Sequence, residues 1–294
     1  MKKALSIFLA LCLMLSCLPV AALLSTALPK AHAEETSVKA LQFVQNGEVE
    51  IADRQNGSVW FGEYLQSGSK QTGYNVDPIK WRVLSNADGK LFLLADQDLD
   101  HVYYHEAYEY VSWETCTLRA WLNGYGEAYA DDSFIGSAFS AGEKAAIAET
   151  QLQNADDGTS GNTADKVFPL SINELSNTAY GFASDPYAED PARVTTVTAY
   201  CAGGGRNNSS RMNPGEKNGY WIRTFGSDYR FANLITIWGS VSNMVLGINT
   251  GGISIRPALN VDLNSVLFVS PPRAASRAAG RLPRSETAPT ARGS

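Results

Sequence analysis

The chain is poor in the residues that most often carry chemistry. Of its 294 residues three are histidine and four are cysteine, and His32, Cys12 and Cys17 fall within the first 33. That leaves His101, His105, Cys116 and Cys201 for the body of the protein. A serine or cysteine nucleophile needs a base within hydrogen-bond reach, yet the two histidines sit together in one Tyr-rich stretch, DLDHVYYHEAYEYV. Neither cysteine has a histidine or a second cysteine at a ligand spacing. A glycosidase needs two facing carboxylates, and acidic residues are too common here for any pair to stand out. Gly203-Gly204-Gly205 lacks the strand-then-helix setting of a phosphate-binding loop and reads as a flexible connection.

Long apolar runs are equally scarce, with a single exception. Lys2 and Lys3 precede an apolar stretch from Ala4 to Leu24, and Ala31-His32-Ala33 supplies a small-x-small cleavage site before Glu34. This is the arrangement of a secretory signal, residues 1–33. Pro19, Pro29 and Lys30 interrupt the run short of the roughly 20 apolar residues a spanning helix needs, so cleavage and export are expected, with no membrane span left afterwards. Lipidation at Cys17, after Leu15-Ser16, is an alternative that its imperfect flanks disfavour.

Positive charge is lacking where it would matter for nucleic acid. The chain carries −6; the signal contributes +3 and the 24 residues from Pro271 contribute +4, leaving −13 on residues 34–270. So acidic a body excludes nucleic acid as an expected partner. The segment 271–294, PPRAASRAAGRLPRSETAPTARGS, is rich in Pro, Ala and Arg with almost nothing to bury, and composition predicts a disordered tail.

What is present is a body long enough for one large domain with a substantial core. Residues 34–56 form a polar, weakly patterned lead-in. SVWFGEYLQ then reads as a strand and IKWRVLSNADGKLFLLA as a hairpin about Asn86-Ala87-Asp88-Gly89. Leu118, Trp121, Leu122 and Tyr125 recur at helical spacing after Trp113. Ser140 with Glu143, and Ser171 with Glu174, are capping-box signatures that open two further helices. Asn154 to Ala164 is a loop, and strands are expected to dominate to the end. The class is α+β, with helices early and a mainly antiparallel sheet late, over residues 57–270.

The most informative stretch is Gly219 to Leu263. A Trp-bearing strand, GYWIRTFG, and a closing strand, GGISIRPALNVDL, bracket a segment in which Ser, Asn, Asp, Thr, Tyr, Arg and Trp alternate with short apolar residues. That alternation predicts strands and turns with one face buried and one displayed. Rigid aromatics mixed with small hydrogen-bonding residues have the composition of a binding surface. The candidate ligand-binding set is Ser227, Asp228, Tyr229, Arg230, Asn233, Thr236, Trp238, Ser240 and Asn243.

In order, WFGEYLQ, PIKWRVL, SWETCTLRAWLN, FIGSAFSAGEKAAI, TADKVFPLSINEL, GYWIRTFG and IRPALNVDLNSVLF resemble a secreted bacterial family known as domain-of-unknown-function family 6273. The resemblance implies a C-type-lectin-like fold. Some members of that family resemble the variable proteins of diversity-generating retroelements, whose exposed C-terminal residues are altered between a WLRS-like and an RPAL-like strand. Trp221-Ile222-Arg223-Thr224 and Arg256-Pro257-Ala258-Leu259 stand at those borders; Thr224-Phe225 departs from the Ser-Pro often found there. The sugar-ligating motifs of calcium-dependent lectins, Glu-Pro-Asn, Gln-Pro-Asp and Trp-Asn-Asp, are absent from the sequence, so such a fold would not by itself imply sugar binding.

The expected function is a secreted or surface-exposed protein that binds an unknown protein or glycan ligand through residues 227–250. No catalysis, cofactor or metal is expected. The competing classes are an enzyme on the same fold, like the formylglycine-generating enzymes, and a structural envelope protein without a specific ligand. His101 and His105, spaced i, i+4 after Asp96, Asp98 and Asp100, read as exposed loop histidines. Cys116 and Cys201 could pair in an oxidising compartment, with Cys116 as a small buried apolar residue the equal alternative. Trp121, Trp221, Arg119, Arg256 and Pro257 are expected to hold the fold.

Overall fold

The computed structural model describes residues 42–44, 57–154, 161–208, 212–226, 228–242 and 246–265. The signal segment, most of the lead-in, the Arg-rich tail, Ser227 and Asn243 lie outside the described residues. The strands in chain order are β1 (Gln42–Val44), β2 (Ser58–Ser69), β3 (Gly73–Ala87), β4 (Lys90–Ala95), β5 (Asp100–His101), β6 (Ile147–Ala148) and β7 (Thr150–Leu152). They continue as β8 (Thr163–Asp165), β9 (Val167–Phe168), β10 (Tyr220–Phe225), β11 (Phe231–Ile235), β12 (Leu246–Gly247), β13 (Ser254–Ile255) and β14 (Ala258–Asp262). Between them run short helices α1 (Thr117–Asn123), α2 (Phe134–Ala138), α3 (Ala141–Ala146), α4 (Ile172–Leu175) and α5 (Ala199–Ala202).

The hairpin of β3 and β4 turns at Asp88 and Gly89, both at positive φ, 52° and 70°. Two such residues make the tight turn whose twist matches antiparallel strands, and Ala87 duly pairs with Lys90. Leu91 to Ala95 of β4 are buried without a break. The strand lies between β3 and β14 in a seven-stranded antiparallel sheet, ordered β1-β2-β3-β4-β14-β6 with β9 also on β14. An uninterrupted apolar run is what a strand covered on both faces requires. Trp81 lies wholly inside, its indole N–H donating to the Phe61 carbonyl at 2.7 Å.

The helices follow their sequence signals closely. Leu118, Trp121 and Leu122 of α1 face the core, and Tyr125 falls beyond its end at the surface. Ser140 with Glu143, and Ser171 with Glu174, form reciprocal capping boxes at the starts of α3 and α4. Asp165 ties the helix region down: its Oδ2 accepts the Trp113 indole at 2.9 Å and its Oδ1 pairs with Arg119 at 2.7 Å.

A second sheet, ordered β12-β11-β10-β13-β5, carries the bracketed segment. Its borders stand side by side, with Tyr220 of β10 paired in parallel with Ser254 of β13. All six residues of β10 are buried. Trp221 donates to the Val102 carbonyl at 2.9 Å. Arg223 reaches both carboxylate oxygens of Glu174, at 2.8 and 3.0 Å. Arg256 donates to the carbonyls of Ala95 and Arg193, so the framing residues hold the fold as expected. Truncating Trp221 to Ala should cost about 3–5 kcal/mol, read from urea unfolding; a loss under about 1 kcal/mol would contradict its place in the core.

Several expectations need correcting. The class is α+β and the sheets mainly antiparallel, but the helices do not precede the sheet: β2, β3 and β4 come before them and β14 closes the same sheet. The lead-in contains β1, paired with β2 from Gln42 opposite Trp60 to Val44 opposite Ser58. Strands do not dominate after Leu175; the described residues between 176 and 219 are mostly loop, with Arg193 buried among them. Finally, β11 has no displayed face, because Ala232, Asn233, Leu234 and Ile235 are all buried.

Candidate functional site

The candidate set is divided by β11 into two clusters. At about 3.4 Å per residue, five strand residues separate the turns at its ends by about 17 Å. The first turn is built on Asp228, whose Oδ1 accepts the Arg230 backbone N–H at 2.9 Å while its carbonyl accepts that of Phe231. This is the local bonding that makes aspartate a turn residue. The same carboxylate takes the Arg230 guanidinium with two prongs, at 3.2 and 2.8 Å. Those bonds hold Asp228 below the usual carboxylate range and Arg230 above its ordinary value.

Onto this turn folds the Tyr-rich loop from 103 to 111. The Val111 N–H donates to the Tyr229 carbonyl, Ile248 to Arg230, and His105 to Ile248. The guanidinium of Arg230 then lies 4.7 Å from the Tyr110 ring centre and 5.7 Å from that of Tyr108. Tyr108 also meets Phe231 edge to face at 6.1 Å. Tyr110 nevertheless keeps 67% of its surface exposed and Tyr108 50%, with Tyr229 exposed alongside. Tyr108 and Tyr110 were missed as site residues; the Tyr-rich composition of their loop was the signal, and its packing against residues 228–231 is long-range.

Asn233, Thr236, Trp238 and Ser240 do not join this cluster, while Ser227 and Asn243 lie outside the described residues. The hydroxyls of Thr236 and Ser240 bond each other at 2.9 Å, closing the second turn, which displays Trp238. Asn233, expected at the surface, is interior, and its amide donates to the Phe225 carbonyl at 2.8 Å. Ladder register shifts between Trp221 and Phe225, so the amide serves a carbonyl at a bulge.

The histidines, expected in an exposed loop, are both buried. His105 Nδ1 accepts the Thr117 N–H at 3.1 Å, so its proton sits on Nε2, directed at Glu109 at 3.0 Å. His101 meets Asn218 at 3.0 Å, and burial lowers its pKa to about 4. Around it lie Asp98, Asp100, Cys201 and Ser254, all buried. Asp100 is fully engaged: Tyr64 donates to Oδ2 at 2.7 Å, and the backbone N–H groups of His101 and Arg206 donate to Oδ1. A side chain at Gly205 would put its Cβ 2.1 Å from that Oδ1, so the glycine loop is shaped by close approach to a carboxylate rather than by a phosphate. Burial pushes the Cys201 thiol well up and that of Cys116 up to about 12; both cysteines are free, and protonated thiols are poor nucleophiles and metal ligands. Among the described residues no group of three or more His, Cys, Asp or Glu is arranged to hold a metal.

A cleft opens beside the same loop between Glu106, Trp121, Tyr129 and Arg206. Its volume of about 20 Å³ accommodates about one water molecule, too little for an organic ligand. Among the described residues no helix is long and apolar enough to cross a membrane.

Neither a curated protein nor a solved structure matches the chain. The sequence pattern of one family does, from residue 88 to residue 263, a span that takes in the hairpin turn, the Tyr-rich loop, both turns about β11 and the closing strand β14. The chain therefore belongs to the family described as Domain of unknown function (DUF6273).

Proposed function

We propose that the protein acts outside the cytoplasm as a ligand-binding protein, and that it binds through the surface formed by Tyr108, Tyr110, Asp228, Tyr229 and Arg230. The single observation behind this reading is the pair of exposed rings, Tyr108 and Tyr110, set against an arginine that Asp228 holds in place. Exposed aromatics of fixed orientation beside a positioned arginine are what interaction hot spots are made of. The ligand is a protein or a glycan. The scaffold is read as C-type-lectin-like and residues 227–250 as a segment open to diversification; support comes from the ordered motifs, from Trp221-Ile222-Arg223-Thr224 on β10, and from Arg256-Pro257-Ala258-Leu259, which directly follows β13, the strand paired with β10. Export rests on the signal arrangement of residues 1–33. A neighbouring reverse transcriptase gene, with a template repeat differing at adenines, would accompany diversification.

The test is a binding screen of the full chain against immobilised wall polysaccharides, glycans and surface proteins, repeated with substitutions. Tyr110→Ala and Arg230→Ala should each weaken any ligand found by about tenfold. Tyr108→Ala and Tyr110→Ala should leave the melting temperature within about 2 °C, as exposed substitutions do. Trp238→Ala, on the other turn, should bind as the parent does. A ligand indifferent to Tyr110 and Arg230 would sink this assignment, as would a screen with no ligand at all.

A further inference from the structure

The second turn, at the opposite end of β11, forms a surface of its own. Trp238 is 58% exposed, the most open tryptophan of the chain, with Ile237 beside it and Tyr187 exposed in the neighbouring loop. The two backbones interlock: Asp190 N–H donates to the Trp238 carbonyl, and Val241 N–H to that of Pro186. Arg193 fastens them from within, bonding the carbonyls of Pro186 and Ala188 in the loop and of Gly239 in the turn. Apolar groups held so firmly lose little freedom when something covers them.

The surroundings specify what that is. The loop Asp185-Pro186-Tyr187-Ala188-Glu189-Asp190 has three acids and no cation. Asp190 is committed to Arg193 at 3.5 Å, while Asp185 and Glu189 stand exposed. Indole and phenol faces beside carboxylates suit a guanidinium, which stacks on the one and pairs with the other. The chain carries such groups at Arg273, Arg277, Arg281, Arg284 and Arg292, against the single Glu286. Reach is ample. The chain leaves β14 beside Gly89, where the Leu263 N–H donates to the Gly89 carbonyl. Arg82, five residues before the end of β3, bonds the carbonyls of Tyr180 and Ala192 at the base of the loop, about 17 Å along the strand. The 29 residues after Ser265 can extend to about 95 Å.

We infer that the arginine-bearing segment 271–294 docks on the Trp238–Tyr187 surface, with guanidinium groups over the two rings and against Asp185 and Glu189. The surface differs from that of the proposed function and does not depend on it. The test is acrylamide quenching of tryptophan emission in the full chain, compared with a full chain carrying all five tail arginines as Gln. Quenching of the exposed component should rise about twofold in the Gln chain, and in the parent on adding about 0.5 M salt, because ion pairing at a surface is screened. Trp238→Phe should abolish the difference. Equal quenching in both chains, or a difference that survives Trp238→Phe, would overturn the docking.

Discussion

Replacing Arg193 by Met should destabilise the protein by about 3–5 kcal/mol, the range for breaking a buried ionic network from one side. Arg193 is wholly buried, and its guanidinium donates to six carbonyls, those of Leu175, Ala183, Asp185, Pro186, Ala188 and Gly239. Asp190 supplies the counter-charge and, through its two oxygens, also accepts the N–H groups of Ala183 and Ala192. Methionine fills much of the space but leaves those carbonyls without their donor and the buried carboxylate without its counter-charge, and each unsatisfied buried group costs about 1–3 kcal/mol unless it finds water. Arg193→Lys should recover little, because an ammonium cannot reproduce the planar fork. Urea unfolding of both variants decides the matter. Losses under about 1 kcal/mol would mean that the 176–219 stretch is held by something else.

Replacing Asp98 by Asn should do the opposite, and by an amount that grows with pH. Asp98 is wholly buried, and among the described residues neither carboxylate oxygen has a hydrogen-bond partner within bonding geometry; the nearby Ser254 hydroxyl accepts from Asn218 at 2.7 Å and from Cys201 at 3.6 Å, and the pull of its own proton on the carboxylate is smaller than the effect of burial. Burial pushes its pKa up to about 8, against the pull of Arg256 and Ser254. The unfolded chain gives up the proton near pH 4. Below that pH both states are protonated and there is no penalty. From there to pH 8 folding must take up a proton, so stability falls by about 1.4 kcal/mol per unit, and above pH 8 the loss levels off. Asparagine does not titrate, so its advantage should reach a few kcal/mol at pH 8 and vanish at pH 4. Asp100, raised to about 6 mainly by burial, adds in both chains to the loss between about pH 4 and pH 6 and nothing further above it. His101, lowered to about 4, works from the other side: its contribution is complete above pH 6.5 and is lost as pH falls towards 4. Melting temperatures from pH 4 to 9 test this, and an Asp98→Asn chain whose profile runs parallel to the parent would refute it.

Where the sequence could be read, the signal was local. Asp88-Gly89 fixes its hairpin through backbone preference alone, and the boxes opened by Ser140 and Ser171 close within four residues. Leu118, Trp121 and Leu122 share a face by helical period. What could not be read depends on partners far along the chain. Asn233 looks like a surface residue until the bulge in β10 gives its amide a carbonyl to serve. His101 meets Asn218, 117 residues on, and the backbone N–H of His105 donates to the carbonyl of Ile248. The alternation that predicted a displayed face on β11 failed for a related reason: the strand is covered on both sides, and only its flanking turns reach solvent. Two of the five residues of the candidate surface, Tyr108 and Tyr110, come from a loop about 120 residues before the turn that orients it.

The parallel contact of Tyr220 with Ser254 has a consequence for how this segment can change. Because the two ends of the excursion are already joined at the sheet, residues added at 226–230, 236–240 or 248–252 lengthen loops that are closed at their base. Closure entropy grows only logarithmically, about 0.6 kcal/mol for each doubling of loop length. Homologous chains can therefore differ in length as well as in residue identity at these three places while β10, β11 and β13 keep their register, and insertions within β11 itself should be selected against.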